Sequence, residues 1–308
     1  MNKYKLLAGV LLTMLMTTQS LAEVIAMDKT PHPGHYLKSL LAQYPYPEDI
    51  LIILDLDDTS ITSPRGQLLG RSDMFYHLLE KEQKAHPEKT KEALAESIDP
   101  LLVEVYKRVA VVPTDEVLPG VLDDLRERGI KVIGMTARGR KIANVTQQQL
   151  ERAGIHFTDT GPDKVFKLSG DRSIKLVHGV VMVSHGNKKG ETLVELLKQG
   201  AFKKPEQVVM IDDRQSHLDD MAQAINDYSA KIRFNPVLCT YLETQPEFDK
   251  FASEDELLEF LHDWRQDPEV NKTIKEDPYT QKVINQCGNV FGRNKRFCEA
   301  LGGMLQAP

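Results

Sequence analysis

The chain has little of what would point to nucleic acid, a bilayer span or a sulfur-bound metal. Lys and Arg number 39 against 45 Asp and Glu, a formal charge of −6. There is no basic surplus to attract polyanions or anionic lipid, so small molecules are the default partners and no nucleic acid is expected. The three cysteines, Cys239, Cys287 and Cys298, lack the CxxC spacing of a zinc site, and no Cys-His pairing suggests a thiol nucleophile. No low-complexity tract or internal repeat is present, and 308 residues that are 41% hydrophobic can bury a sizeable core. That excludes a disordered chain.

The apolar run from Leu6 to Met16 is about half the roughly 20 residues that cross a bilayer. It follows Lys3 and Lys5 and precedes Ser20-Leu21-Ala22, with small residues at the cleavage-defining positions. Residues 1–22 therefore read as a cleavable signal peptide, with an uncleaved anchor helix as the competing reading. The mature chain, from Glu23, is expected in the periplasm or secreted, without stable membrane insertion. In an oxidising compartment three cysteines imply one disulfide and one leftover. Cys287 and Cys298 bracket a short loop and are the favoured pair, with Cys239 able to replace either.

What is present is an alternation of strand and helix. After a proline-punctuated lead-in with one helix near Tyr36 to Gln43, Ile50 to Leu54 is wholly apolar and β-branched, as a buried parallel strand is. Helical spacing at Leu118, Val121, Leu122 and Leu125, a stop at Gly129 and a strand over Lys131 to Met135 repeat the unit. Helix Lys141 to Arg152, strand Ile155 to Thr158, helix Lys189 to Gln199, strand Gln207 to Ile211, helix Ser216 to Asp227 and strand Lys231 to Phe234 continue it. The fold class is α/β, a Rossmann-like parallel sheet with crossover helices. Residues 60–112, with apolar helical spacing around a Glu-Lys-rich middle, read as an inserted helical cap. Val165 to Val183 alternates around Ser169-Gly170-Asp171 as a β-hairpin insertion. The core is then residues 23–59 and 113–240, and residues 241–308 form a helical C-terminal extension in which Trp264 packs.

Four apolar runs end in polar residues of complementary chemistry, and the carboxyl ends of parallel strands share one crevice. Asp55 and Asp57 flank Leu56, so an extended chain points both the same way. Two carboxylates about 4 Å apart repel by about 4 kcal/mol at an effective dielectric of about 20, which a divalent cation removes. Oxygen-only ligands suit Mg2+. A calcium loop would need Gly and Glu where this chain has Ser60 and Gly66. Thr136 precedes Ala137-Arg138-Gly139-Arg140, placing a hydroxyl and guanidinium where a phosphoryl oxygen could bind, although a Thr there also serves as a helix cap. Lys189 opens a helix, where a cation opposes the dipole, and Lys188 beside it is the alternative. Asp212 and Asp213 close the last apolar strand, a costly pair without a cation or lysine nearby.

In order, Asp55-x-Asp57-x-Thr59, Thr136, Lys189 and Asp212-Asp213 resemble the haloacid dehalogenase superfamily of phosphohydrolases, over about Ile50 to Phe234. The chain also looks like secreted bacterial members of that superfamily. The resemblance implies a magnesium-dependent phosphatase acting on small phosphomonoesters. Asp55 would be the nucleophile and Asp57 the general acid and base. Thr136, Arg138 and Lys189 would bind the phosphoryl group, and Asp213, supported by Asp212, would complete the metal site with the carboxylate of Asp55 and the backbone carbonyl of Asp57. One departure is that Asp212 replaces a common glycine, and His217 and Leu218 stand where a further acid is usual, so the division between Asp212 and Asp213 stays open. The insert is where such enzymes place a specificity cap, with Arg65, Arg71, Tyr76 and His77 as candidate substrate contacts, each also readable as a surface or packing residue. A phosphotransferase or phosphomutase, or a secreted interaction protein on the same scaffold, are the alternative readings.

Overall fold

A computed structural model describes residues 27–42, 49–64, 70–170, 172–184 and 186–244. Its strands are β1 (Asp28–Thr30), β2 (Ile50–Leu54), β3 (Ile61–Thr62), β4 (Val112–Pro113), β5 (Lys131–Thr136), β6 (Lys164–Lys167), β7 (Ser173–Val177), β8 (Val180–Met182), β9 (Gln207–Asp212) and β10 (Arg233–Cys239). The helices are α1 (Pro33–Leu41), α2 (Ser72–Ala85), α3 (Lys91–Arg108), α4 (Leu118–Glu127), α5 (Ala143–Arg152), α6 (Lys189–Lys198) and α7 (Gln215–Tyr228). Short 3₁₀ turns cover Arg140–Ile142 and Tyr241–Thr244.

One eight-stranded sheet runs β1-β10-β9-β2-β5-β8-β7-β6, parallel from β1 to β8 and antiparallel over β7 and β6. The expected α/β class with a mostly parallel sheet is what forms. β2 sits at the centre because Ile50 to Leu54 are all buried, and a strand covered on both faces has no use for polar alternation. Two apolar layers flank it. Ile52 and Leu54 face α1, α4 and α5, whereas Leu51 and Ile53 face α6 and α7.

Four local expectations are corrected. Ile155 to Thr158 is not a strand: Thr158 N–H bonds Val132 O and its Oγ1 accepts from Val132 N–H, but the Gly134 N–H already goes to Gly179 O. The free edge of β5 beyond that point belongs to β8, so Ile155 and Phe157 bury as loop residues. The hairpin is instead a three-stranded meander with a second turn at His178-Gly179, and its last strand, β8, is part of the main sheet. The final strand runs on to Cys239, and β1, which sequence reading did not include, caps its edge.

Between β3 and β4, which pair as a two-stranded stem, α2 and α3 pack together over the sheet's carboxyl edge. The Thr90 hydroxyl caps α3 by accepting from Ala93 N–H at 3.2 Å. No described helix is long and apolar enough to cross a membrane. Residues 1–22, the helical reading beyond residue 244 and the Cys287–Cys298 pairing lie outside the described residues. Cys239 is buried with a free thiol, which burial pushes up to about 12.

Candidate active site

Parallel pairing sets Leu54 opposite both Gly134 and Ile211, so the residues that follow β2, β5 and β9 emerge at one level. Asp55 leaves β2 with its N–H still bonded to Ile211 O at 2.9 Å. The chain then folds back tightly. Ser60 and Ile61 N–H both donate to Leu56 O at 2.9 Å, and the Ser60 hydroxyl donates to Asp55 O at 2.5 Å. Asp58 takes the left-handed conformation (φ 58°) that this reversal requires and that Asp tolerates better than most residues. Gly134 is demanded by packing, since a Cβ there would lie 2.8 Å from the Phe157 ring and 3.1 Å from Leu56.

Lys189 is the hub. Its side chain is 2% exposed and its ammonium donates to Asp55 Oδ1 at 2.5 Å and to Asp212 Oδ2 at 2.7 Å. Burial disfavours its charge, yet the two carboxylates outweigh that and hold its pKa above the ordinary range. They also offset the unfavourable helix N-terminus. Lys188, by contrast, is 74% exposed, with Asp220 its partner at 3.8 Å.

The acidic pair divides as strand alternation dictates. Asp212, fully buried, accepts from Lys189 and from Arg214 N–H at 2.9 Å, and His217 Nδ1 lies 3.0 Å from its Oδ1. Burial acts to raise its pKa, but Lys189 and His217 prevail and take it down to about 2. Asp213 turns toward the cavity, where its nearest ion-pair partner, Arg214 Nε, is 4.0 Å away. Burial and the charges of Asp55, Asp212 and Asp58 push Asp213 up to about 9. Asp55 is raised to about 6, by burial first and by Asp212 and Asp57 against the pull of Lys189.

Carboxylate oxygens of Asp55, Asp212 and Asp213 lie within 4.8 Å of one another. Three carboxyl groups crowd around one ammonium, so that the third, Asp213, holds a proton whose place a cation can take, and all donors are oxygen. Both properties fit a hard divalent cation such as Mg2+. The Asp57 side chain stands apart from this cluster, whereas the expected metal donor of Asp57 is its backbone carbonyl. The side chain accepts a two-pronged grip from Arg138, Nε at 2.9 Å and Nη2 at 2.6 Å. Arg138 Nη1 also donates to Gln149 Oε1 at 2.7 Å and Thr146 Oγ1 at 3.1 Å, and its guanidinium lies 4.4 Å over the Tyr106 ring. The buried guanidinium is thus engaged on both edges and one face, so it orients Asp57 rather than reaching freely toward a ligand. Thr136 is buried at the end of β5, its Oγ1 accepting from Arg138 N–H at 3.2 Å.

Asp55, Asp57, Thr136, Arg138 and Asp213 floor a cavity of about 220 Å³. Its roof is Phe75, Tyr76 and Leu79 from α2 with Leu102 and Tyr106 from α3. Arg214, next to Asp213, stacks 4.1 Å from the Tyr76 ring and joins floor to roof. A second tie is Asp58, whose carboxylate accepts from Thr62 at 2.9 Å and from Ser72, the first residue of α2, at 2.6 Å. Of the cap residues singled out from sequence, Tyr76 lines the cavity and Arg71 is buried with its charge facing Asp58. Arg65 and the His77 side chain lie outside what is described. Sequence reading missed Asp58, Thr146, Gln149 and the roles of Ser184 and Asn187. Ser184 and Asn187 line the cavity, and their Oγ and Oδ1 atoms are buried with no hydrogen-bond partner among the described residues.

Fold and site together define an α/β protein with a lysine-bridged carboxylate pocket at the carboxyl edge of its sheet, closed by a helical insert. Residues 33–274 match the family described as Protein of unknown function (DUF2608), and the chain belongs to that family. No curated protein matches. Among solved structures it is similar to the class C acid phosphatase from Bacillus anthracis with tungstate bound, at 16% identity, 75% of this chain, 85% of that chain and TM-score 0.32. It is also similar to phosphoserine phosphatase as a phospho-aspartyl intermediate analogue, at 16% identity, 65% of this chain, 98% of that chain and TM-score 0.29. Likeness this low lends no weight to a reaction, which stands on the site's own residues.

Proposed function

We propose that this chain is an exported, magnesium-dependent phosphomonoesterase of the haloacid dehalogenase type, with Asp55 as nucleophile. The observation that carries the reading is the Lys189 ammonium held between Asp55 and Asp212, with the cation-poor Asp213 beside them, beneath a capped cavity that Asp55 and Asp213 line. A buried lysine neutralises part of the carboxylate charge while leaving Asp55 at the cavity wall.

In this mechanism Asp55 attacks phosphorus, an Asp55 oxygen–phosphorus bond forms, and the bond to the leaving oxygen breaks as Asp57 delivers a proton to it. Water then attacks the aspartyl-phosphate, Asp57 takes the water's proton, and Asp55 is released with phosphate. Arg138 fixes the direction of Asp57 before substrate binds. The Thr136 hydroxyl donates to a phosphoryl oxygen, and Lys189 holds positive charge beside Asp55 as charge shifts during transfer. Asp55, Asp212 and Asp213 would hold Mg2+, which when bound supplies positive charge at the phosphoryl group. The roof favours a leaving group with an apolar or aromatic face.

The test is hydrolysis of an aryl phosphate by the mature chain with and without Mg2+. Turnover that requires Mg2+ and disappears in Asp55→Asn supports the reading. Wild type indistinguishable from Asp55→Asn across a panel of phosphomonoesters refutes it. Transfer of the phosphoryl group to added alcohol instead of water would move the assignment to a phosphotransferase. Export is tested by sequencing the N-terminus of the expressed protein, expected at Glu23.

A further inference from the structure

A second group of metal-ligating side chains lies outside the cavity, where α1 meets the loop before α4. His32, His35 and Asp115 each present a donor atom, and these atoms all lie within 4.8 Å of one another. The run His32-Pro33-Gly34-His35 is fixed by its backbone. Thr30 Oγ1 accepts from His32 N–H at 3.0 Å and donates to His32 O at 3.1 Å, and Pro33 begins the helix with φ already set. Gly34 allows close approach, because a Cβ there would lie 2.8 Å from Leu118 main-chain atoms and 3.0 Å from Asp115 Oδ2. Asp115 is only 4% exposed. Its carboxylate is held by main-chain N–H groups of His35 at 3.0 Å and Val117 at 3.2 Å. Burial acts to raise its pKa, but the hydrogen bonds from His35 and Val117 prevail, so the carboxylate stays ionised.

The donor chemistry differs from that of the cavity floor. Two imidazoles and one carboxylate match a zinc-type site that leaves a position for water, and nitrogen donors are a poor set for Mg2+. Tetrahedral bonds of about 2.0–2.1 Å put ligand atoms about 3.3 Å apart. His35 Nδ1 lies 3.0 Å and 3.2 Å from the two Asp115 oxygens, close to one such edge. His32 supplies a further corner. Its ring stands 5.6 Å from that of His35, tilted by 59°, and has no described hydrogen bond.

We propose that His32, His35 and Asp115 bind a zinc-class divalent transition metal. Binding through His35 Nδ1 leaves the imidazole proton on Nε2. The site is structural in its reach: Asp115 follows Thr114, whose N–H donates to Ser60 O at 3.2 Å and whose hydroxyl donates to Thr59 O. A metal there ties α1 to the segment that braces the loop after Asp55.

Cobalt(II) is the probe, since four-coordinate cobalt with imidazole ligands absorbs visible light far more strongly than six-coordinate cobalt among oxygens. The full chain titrated with Co2+ should develop a strong visible band that Zn2+ abolishes. The band should persist in Asp213→Asn, which disables the oxygen cluster, and vanish in His32→Ala, whose missing ring breaks no described hydrogen bond. Zn2+ affinity by calorimetry should fall more than about 100-fold in His32→Ala, because losing a ligand costs more than losing a ligand's hydrogen-bond partner. Absence of the band in wild type, or its survival in His32→Ala, overturns the proposal.

Discussion

The floor and the roof of the cavity are made of opposite materials. Floor groups are polar and follow the ends of parallel strands: Asp55, Asp57, Thr136 and Asp213 line the cavity, and Lys189, from the start of α6, and Asp212 lie buried beneath them. Roof groups are mostly apolar and aromatic, with Lys91 and Glu92 beside them, ride on two helices, and meet the floor through a few ties such as Arg214 on Tyr76 and Ser72 on Asp58. The rigid half holds what must be precise and the appended half sets what is admitted, a division that rigid strand ends and mobile caps make natural.

Substitutions can break or sharpen that contrast. The largest effect is expected from Asp55→Asn, which removes the proposed nucleophile and should lower kcat by about 10⁴-fold or more, as nucleophile losses do. A residual rate above that would place the chemistry elsewhere. Lys189→Ala should lower kcat by about 10²- to 10³-fold and also reduce stability by about 3–5 kcal/mol, since Asp55 is left buried without its cation and Asp212 keeps only His217 and the Arg214 N–H. Lys188→Ala should leave both within about 0.5 kcal/mol of wild type. Equal effects of the two substitutions in activity and melting assays would contradict the hub assigned to Lys189.

A third expectation concerns pH. Asp213 is pushed up to about 9 in the folded chain, against about 3.9 unfolded. Between those values the folded state binds the extra proton, so metal-free stability falls as pH rises through that window. A cation takes the proton's place. The rise in Tm on adding Mg2+ should therefore grow from about pH 5 to about pH 9 and flatten in Asp213→Asn. A gain independent of pH would argue against Asp213 as a ligand. The smallest effect is expected at the roof: Tyr76→Ala should raise KM for an aryl phosphate by about 10-fold with kcat little changed, the mark of uniform binding. A fall in kcat alone would mean the cap serves the chemistry directly.

Much of the floor was legible because each polar group follows an apolar, β-branched run, and such runs become neighbouring parallel strands. Asp55, Thr136 and the Asp212-Asp213 pair could be placed at one edge on that ground. Which of two adjacent residues faces inward was not legible. Lys189 over Lys188 depends on where α6 starts, and Asp212 over Asp213 on whether β9 keeps its alternation to the last residue. His217 stands where a further acid is usual, yet its approach to Asp212 needed the first turn of α7. Arg138 was expected to meet ligand, and its grip on Asp57, Gln149 and Thr146 is a long-range arrangement that no local pattern encodes. In the fold, β1 escaped reading because three residues carry no period, and its partner β10 lies about 200 residues away. Ile155 to Thr158 has strand composition but no free edge to join.

The central claim is that phosphorus becomes bonded to Asp55, and the direct measurement is an acid-quenched reaction followed by mass spectrometry of the peptide holding residues 50–59. With an aryl phosphate and Mg2+, the account predicts a phosphoryl adduct on Asp55, appearing before free phosphate reaches its steady rate and absent in Asp55→Asn. Mg2+-dependent turnover with the adduct on another residue, or with no adduct at any quench time, would contradict it.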